Sequence, residues 1–179
     1  PTIVTALIDA CVIHGDGRPV APEEAWRLPV SERTQALLAL LTSSALTHLR
    51  GTTVCNANDC NERIELEVSV ESLGQDSVSE LDVICDQTAL RVRMPNGEDQ
   101  YQWAVGHYAN PAGWYLKRIV LSINGQAPAR DWMVPDDWQQ PIAEQLASAD
   151  PLTALELSVT CPACDHAFRM PFDVEMHGL

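Results

Sequence analysis

Basic residues are scarce in this chain: 11 Lys and Arg stand against 25 Asp and Glu, for a formal net charge of −14. So acidic a surface repels phosphate backbones unless its few cations gather on one face. The densest basic spots are Arg91 with Arg93 and Lys117 with Arg118, and neither is a cluster. Nucleic acid is therefore not an expected partner. Long apolar runs are missing as well. No stretch reaches the roughly 18 consecutive apolar residues that cross a membrane, so no membrane contact is expected. Pro1 to Cys11 carries no basic leader, which predicts a protein that is not exported. An opening proline also fits a cytosolic chain that has lost its initiator Met. The sequence lacks GxxxxGK[ST], GxSxG and HExxH, the short patterns of phosphate loops, hydrolase nucleophiles and zinc proteases. Its acid pairs, Glu65/Glu67 and Asp136/Asp137, read as a strand's solvent face and a helix start. His14 and Asp16 read as parts of a glycine-rich linker. No enzyme is expected.

What remains is globular in character, with 46% hydrophobic and 20% charged residues in 179. That is enough for one core, or for one domain with a sizeable insert. Thr2 to Ile13 is ambiguous between helix and strand. His14 to Pro19 reads as a linker, and Pro22-Glu23-Glu24 as the first turn of a short helix. Ser31 is the expected cap of a longer helix with Leu37, Leu38 and Leu41 on its apolar stripe, ending near Leu49. At Gly51 the pattern changes, and "VCNANDCNERIELEVSV" from Val54 reads as a loop followed by strict alternation. Ile64, Leu66, Val68 and Val70 face one way, and Arg63, Glu65, Glu67 and Ser69 the other, as in a half-buried antiparallel strand. Leu73 to Glu80 is polar. Ala89 to Met94 alternates again and stops at Pro95-Asn96-Gly97. Glu98 to Val105 reads as helix. Tyr115 to Ile123 reads as helix and then strand, ending at the turn signal Asn124-Gly125. Residues 127–141 read as an ordered loop. Ile142 to Ala149 reads as helix, and Leu155 to Cys161 as a strand. Phe168, Met170 and Phe172 alternate after Cys164. The tryptophans concentrate between 103 and 138; Trp114, Trp132 and Trp138 are either core residues of an insert or interface anchors.

Six cysteines lie at 11, 55, 60, 85, 161 and 164. Cys11 and Cys85 sit in apolar surroundings and are expected to be small buried hydrophobes. The other four form two close pairs, Cys55-x4-Cys60 and Cys161-x2-Cys164. Without an export signal, a disulfide framework is not expected. A thioredoxin-type redox pair needs a helix after its first cysteine, whereas the sequence after Cys164 alternates like a strand. Both spacings suit knuckles that present two thiolates each to a tetrahedral zinc. Cys55, Cys60, Cys161 and Cys164 are thus the candidate ligands of one structural zinc, binding of which is part of the folding free energy. His166 is close enough to substitute for a cysteine, but reads as an exposed strand residue. Asn61 and Asp165 follow the second cysteine of each pair, where a positive φ is expected. The fold class expected is α+β: zinc-ribbon-like antiparallel strands with N-terminal helices and a mixed α/β insert. An N-terminal helical segment covers 1–50. A zinc-ribbon domain covers 51–179, with knuckles at 53–70 and 155–173 and the insert at 71–150.

The order of segments is also familiar. It runs from "RLPVSERTQALLALL" through the first cysteine pair into "ERIELEVSVESL", "LRVRMPNGEDQYQWA" and "SADPLTALELSVTCPACDHAFRMPFDVEMHGL". This resembles the T-even-phage-type baseplate hub assembly chaperone family of contractile-tailed phages and related contractile injection systems. The resemblance covers Arg27 to Phe172 and is closest at Ala149 to Phe172. It implies a non-enzymatic protein that assists assembly of the baseplate hub, or forms part of it. Hub, spike or tube proteins would be its partners and the host cytoplasm its place of work, with the assembled baseplate a further location. The four paired cysteines match the zinc ligands that the family would carry. The first pair departs from the family's usual CxxC, so its turn must be wider. Asn61 and Asp165 replace the usual Gly. Members often continue into a helical tail, whereas this sequence stops at Leu179. The alternative, resting on the ribbon alone, is a zinc-ribbon nucleic-acid-binding module, which needs a basic face that gathers Arg91, Arg93, Lys117 and Arg118.

Overall fold

The computed structural model describes residues 1–73 and 77–174, apart from the side chain of Ala154. Residues 74–76 of the polar stretch and residues 175–179 lie outside the described residues. The fold is α+β, with every sheet antiparallel among the described residues. The chain divides into two compact units, one of residues 1–33 and 76–153, the other of 34–75 and 154–179. The first 33 residues thus belong with the stretch read as an insert.

The first unit opens with α1 (Thr2–Cys11), which settles the ambiguity in favour of helix. Its buried residues Val4, Thr5 and Ile8 follow helical spacing. Cys11 is exposed, against expectation: it is the last residue of α1, past the stretch that is buried. The short helix α2 (Pro22–Arg27) starts at its proline, and the Glu24 carboxylate accepts the Ala21 N–H. Helix α3 (Val30–Ser43), which begins in the first unit and from Thr34 onward belongs to the second, corrects two expectations. Ser31 does not cap it; it lies inside the first turn, buried, its hydroxyl without a partner. The Pro29 carbonyl accepts the Arg33 N–H instead, at 3.0 Å. The helix also stops six residues short of Leu49. The hydroxyls of Thr42, Ser43 and Ser44 donate to carbonyls four residues back, and Ala45 turns left-handed at φ 62°.

Strands β3 (Glu80–Cys85), β4 (Thr88–Arg93) and β5 (Val120–Ile123) form a sheet in that order; β1 and β2 belong to the second unit. The sequence reading assigned no strand at 80–85. The tight turn into β4 is made by Asp86 and Gln87, both at positive φ, without the Asn-Gly signature that marks such turns. Asn124 and Gly125 do carry that signature and turn at φ 49° and 79°. Helices α4 (Gly97–Val105), α5 (Pro111–Ile119) and α6 (Asp136–Ala149) complete the unit. The break in "YLKRIVLSI" falls between Ile119 and Val120. Val83, Leu90, Val92, Met94, Leu116, Ile119, Ile142 and Leu146 are among the core, and Cys85 is buried there as expected. Trp132 and Trp138 pack against it, and Trp138 Nε1 donates to Asp86. Trp114 stacks on Tyr108 and under Arg118. Trp103 is 48% exposed.

One buried ionic centre ties α4, β4 and α5 together. Asp99 has no exposed surface and accepts from Arg93, from Arg118 Nε at 3.0 Å and from the Asn96 N–H at 3.1 Å. Burial alone would raise its carboxyl pKa, but the Arg93 hydrogen bonds and charge, with Asn96 and Arg118, hold it below the usual range. In return Asn96 Oδ1 caps α4 by accepting the Asp99 N–H.

Candidate metal centre

The second unit carries two β-hairpins. β1 (His48–Val54) and β2 (Arg63–Ser69) pair from His48↔Ser69 to Val54↔Arg63. The sequence reading assigned no strand at 48–54; the inward positions Leu49, Gly51 and Thr53 of β1 include one large apolar side chain, too faint a pattern to read as a strand. β2 behaves as its alternation predicts, with Ile64 buried, Leu66 and Val68 half-buried, and Arg63, Glu65 and Glu67 exposed. Val70 is buried one residue past the strand, in a short 3₁₀ turn. β6 (Glu156–Thr160) and β7 (Ala167–Pro171) pair from Glu156↔Pro171 to Thr160↔Ala167.

Each hairpin ends in a cysteine knuckle. In the first, Cys55 N–H donates to the Glu62 carbonyl at 2.9 Å, and Cys60 N–H to the Ala57 carbonyl at 3.0 Å. The latter bond closes the wider turn before Asn61 is reached, so Asn61 does not adopt the expected positive φ. In the second, Cys161 N–H donates to the His166 carbonyl and Asp165 N–H to the Cys161 carbonyl, both at 2.9 Å. This tighter reversal does need a left-handed residue, and Asp165 supplies it at φ 56°.

The two knuckles bring all four thiols together. The sulfurs of Cys55, Cys60, Cys161 and Cys164 lie within 4.8 Å of one another. Cys55 and Cys164 Sγ are 3.7 Å apart, as are Cys60 and Cys161 Sγ. Beneath them Cys55, Ile64, Val159 and Cys161 form a small core, packed by Leu66, Leu157, Phe168 and Met170. Exposure is graded: Cys55 and Cys161 are buried, Cys60 is half-buried and Cys164 is exposed. His166 is exposed and outside this cluster; its ring stacks near Phe168 and its amide donates to Cys164 Sγ.

The electrostatics suit a cation. Burial pushes the Cys161 thiol up, but amide N–H groups of Ala163 and Cys164 point at its sulfur and bring its pKa down to about 7. Cys164 goes the other way. The His166 amide lowers it, but burial and the neighbouring thiols of Cys60, Cys161 and Cys55 push it up to about 12. Cys55 is likewise raised: the Ala57 amide lowers it, and burial with Cys161 and Cys60 more than offsets this. One thiolate forms readily here, and each further one is opposed by those already present. A divalent metal at the centre removes that opposition.

Four cysteines on two hairpin knuckles, clustered at metal-binding distance, define a site able to hold one metal ion. No family model matches the chain, and no curated protein or solved structure matches it. Among the described residues, no helix is long and apolar enough to cross a membrane.

Proposed function

We propose that the second unit is a zinc ribbon and that its metal is structural. The sulfur cluster carries this reading. Zinc–thiolate bonds of about 2.3 Å in a tetrahedron place neighbouring sulfurs about 3.8 Å apart, and the two cross-knuckle contacts are 3.7 Å. Four thiolates close the coordination shell and leave no position for water or substrate, so the role is that of a clasp rather than a catalyst. Metal analysis of the purified protein should give one zinc per chain. A natively folded protein without metal would refute the assignment.

For the protein as a whole, we propose a non-enzymatic role in building the baseplate hub of a contractile tail or injection system, with hub, spike or tube proteins as partners. The "ADP" at Ala149 to Pro151, the CPAC knuckle and "PFD" at Pro171 to Asp173 support it through the family resemblance. The reading as a nucleic-acid-binding ribbon is weaker on charge. Arg91 pairs with Glu80 and Asp82, and Arg93 and Arg118 both engage Asp99, so these cations are already matched by carboxylates. A pull-down from cells producing the particles should recover hub, spike or tube proteins. Recovery of none of these, together with normal particles from a deletion strain, would overturn the assembly role.

A further inference from the structure

The thiols of the metal centre differ in exposure, and their closest sulfur pairs cross from one knuckle to the other. Cys164 is exposed, whereas Cys55 and Cys161 are buried. Cys164 Sγ lies 3.7 Å from Cys55 Sγ, on the opposite hairpin. A disulfide needs about 2.05 Å between sulfurs, so the 3.7 Å pair has to close by about 1.6 Å. Removal of this pair leaves Cys60 and Cys161, themselves 3.7 Å apart across the same gap.

Building on the zinc-ribbon reading, we propose that Cys164 is a modification site for hydroperoxides, through which the metal clasp is exchanged for a disulfide clasp. In the zinc-loaded protein the ligand sulfurs are all thiolates, and that of Cys164, the exposed one, attacks one peroxide oxygen. The O–O bond breaks, the leaving oxygen departs with a proton as water or alcohol, and Cys164 becomes a sulfenic acid. The Cys55 thiolate then attacks the Cys164 sulfur, the S–S bond forms, and hydroxide leaves and is protonated to water. The two sulfurs give up two electrons in all, and the peroxide takes both. Two thiolates then remain, too few to close a tetrahedral zinc site, so the ion departs. A second peroxide joins Cys60 to Cys161 by the same steps. Both bonds cross between the hairpins, so the hairpins stay joined where chelation alone would release them.

The test uses the full chain carrying Cys11→Ser, which removes an exposed thiol outside the metal centre. Cys85 is buried and stays in place as an internal control. Metal content is measured first; the zinc-loaded protein is then given one equivalent of hydrogen peroxide. The expected result is loss of two thiols and of the zinc, a Cys55–Cys164 disulfide in the peptide mass map, and full reversal by dithiothreitol with added zinc. Amide exchange in 48–69 and 156–171 should stay slow in the oxidised protein and become fast in reduced, chelated protein. Absence of zinc before oxidant overturns the metal reading itself. Zinc retained after oxidation, a bond within one knuckle, or first modification at Cys55, Cys60 or Cys161 overturns the exchange alone.

Discussion

In the unit of residues 1–33 and 76–153, a three-stranded sheet and its helices enclose a core that runs from Val83 through Leu90, Val92 and Ile119 to Ile142, with Asp99 and its two arginines at one side. In the unit of residues 34–75 and 154–179, two hairpins enclose Cys55, Ile64, Val159 and Cys161. Half of those four are metal-ligand candidates. The contrast shows two ways of making a fold cooperative. A sheet with helices on it buries enough apolar surface to hold itself. The second unit also buries Leu37, Leu38 and Leu49, but the two-stranded hairpins around the cysteines enclose little besides them, and such hairpins usually need a staple. The cysteine pairs stand where that staple is required.

All five tryptophans lie in the first unit, so tryptophan fluorescence reports that unit and metal release reports the other. The largest effect is expected from Cys161→Ser. It removes a buried ligand from a site whose binding energy is folding energy, on the order of 10 kcal/mol for structural zinc. Fast amide exchange should appear in β1, β2, β6 and β7, while the tryptophan-detected denaturant midpoint stays in place. Equal loss in both units would break the comparison. Asp99→Ala should do the reverse. It leaves Arg93 and Arg118 without their buried partner and should cost the first unit about 3–5 kcal/mol, read from its denaturant midpoint, with metal content unchanged.

Acid should separate the units in order. The ligand thiolates take up protons first, and zinc is released. Asp99 has a folded-state pKa below the ordinary value, so its contribution is complete above about 3.9. That contribution is lost only as the pH falls through the lower folded-state value. A descending pH series should therefore show metal release at higher pH than the tryptophan change; the opposite order would contradict the assignment. Asn96→Ala removes the α4 cap and should lower the first unit's stability by about 1 kcal/mol. The smallest effect is expected from Arg50→Ala, whose exposed pairing with Glu67 is worth under about 0.5 kcal/mol. A large loss of second-unit stability there would show that its surface, and not its metal, holds it.

The legibility of the chain followed the strength of its local signals. β2 and β7 were readable because side chains alternate between core and water over several residues. α5 and β5 were readable because Asn124-Gly125 marks their end. β1 and β3 were not: β1 has one large inward apolar residue, and β3 turns into β4 through Asp86-Gln87. Ser31 resembled a cap but is buried inside α3, because the chain before it is held by Pro29 and Pro95 backbone groups. Cys11 resembled a core residue, but burial along α1 ends at Ile8.

The spacing of Cys55, Cys60, Cys161 and Cys164, and the strand patterns beside them, follow from the sequence alone. Only the tertiary structure decided that the four sulfurs converge, that Cys164 alone of them is exposed, and that Pro1 to Arg33 joins the unit of residues 76–153. It also decided the partners of Arg93 and Arg118, which sequence could read only as cations. Most of these depend on residues far apart in the chain, brought together by the burial of apolar faces and by the pairing of charges that burial makes costly to leave alone.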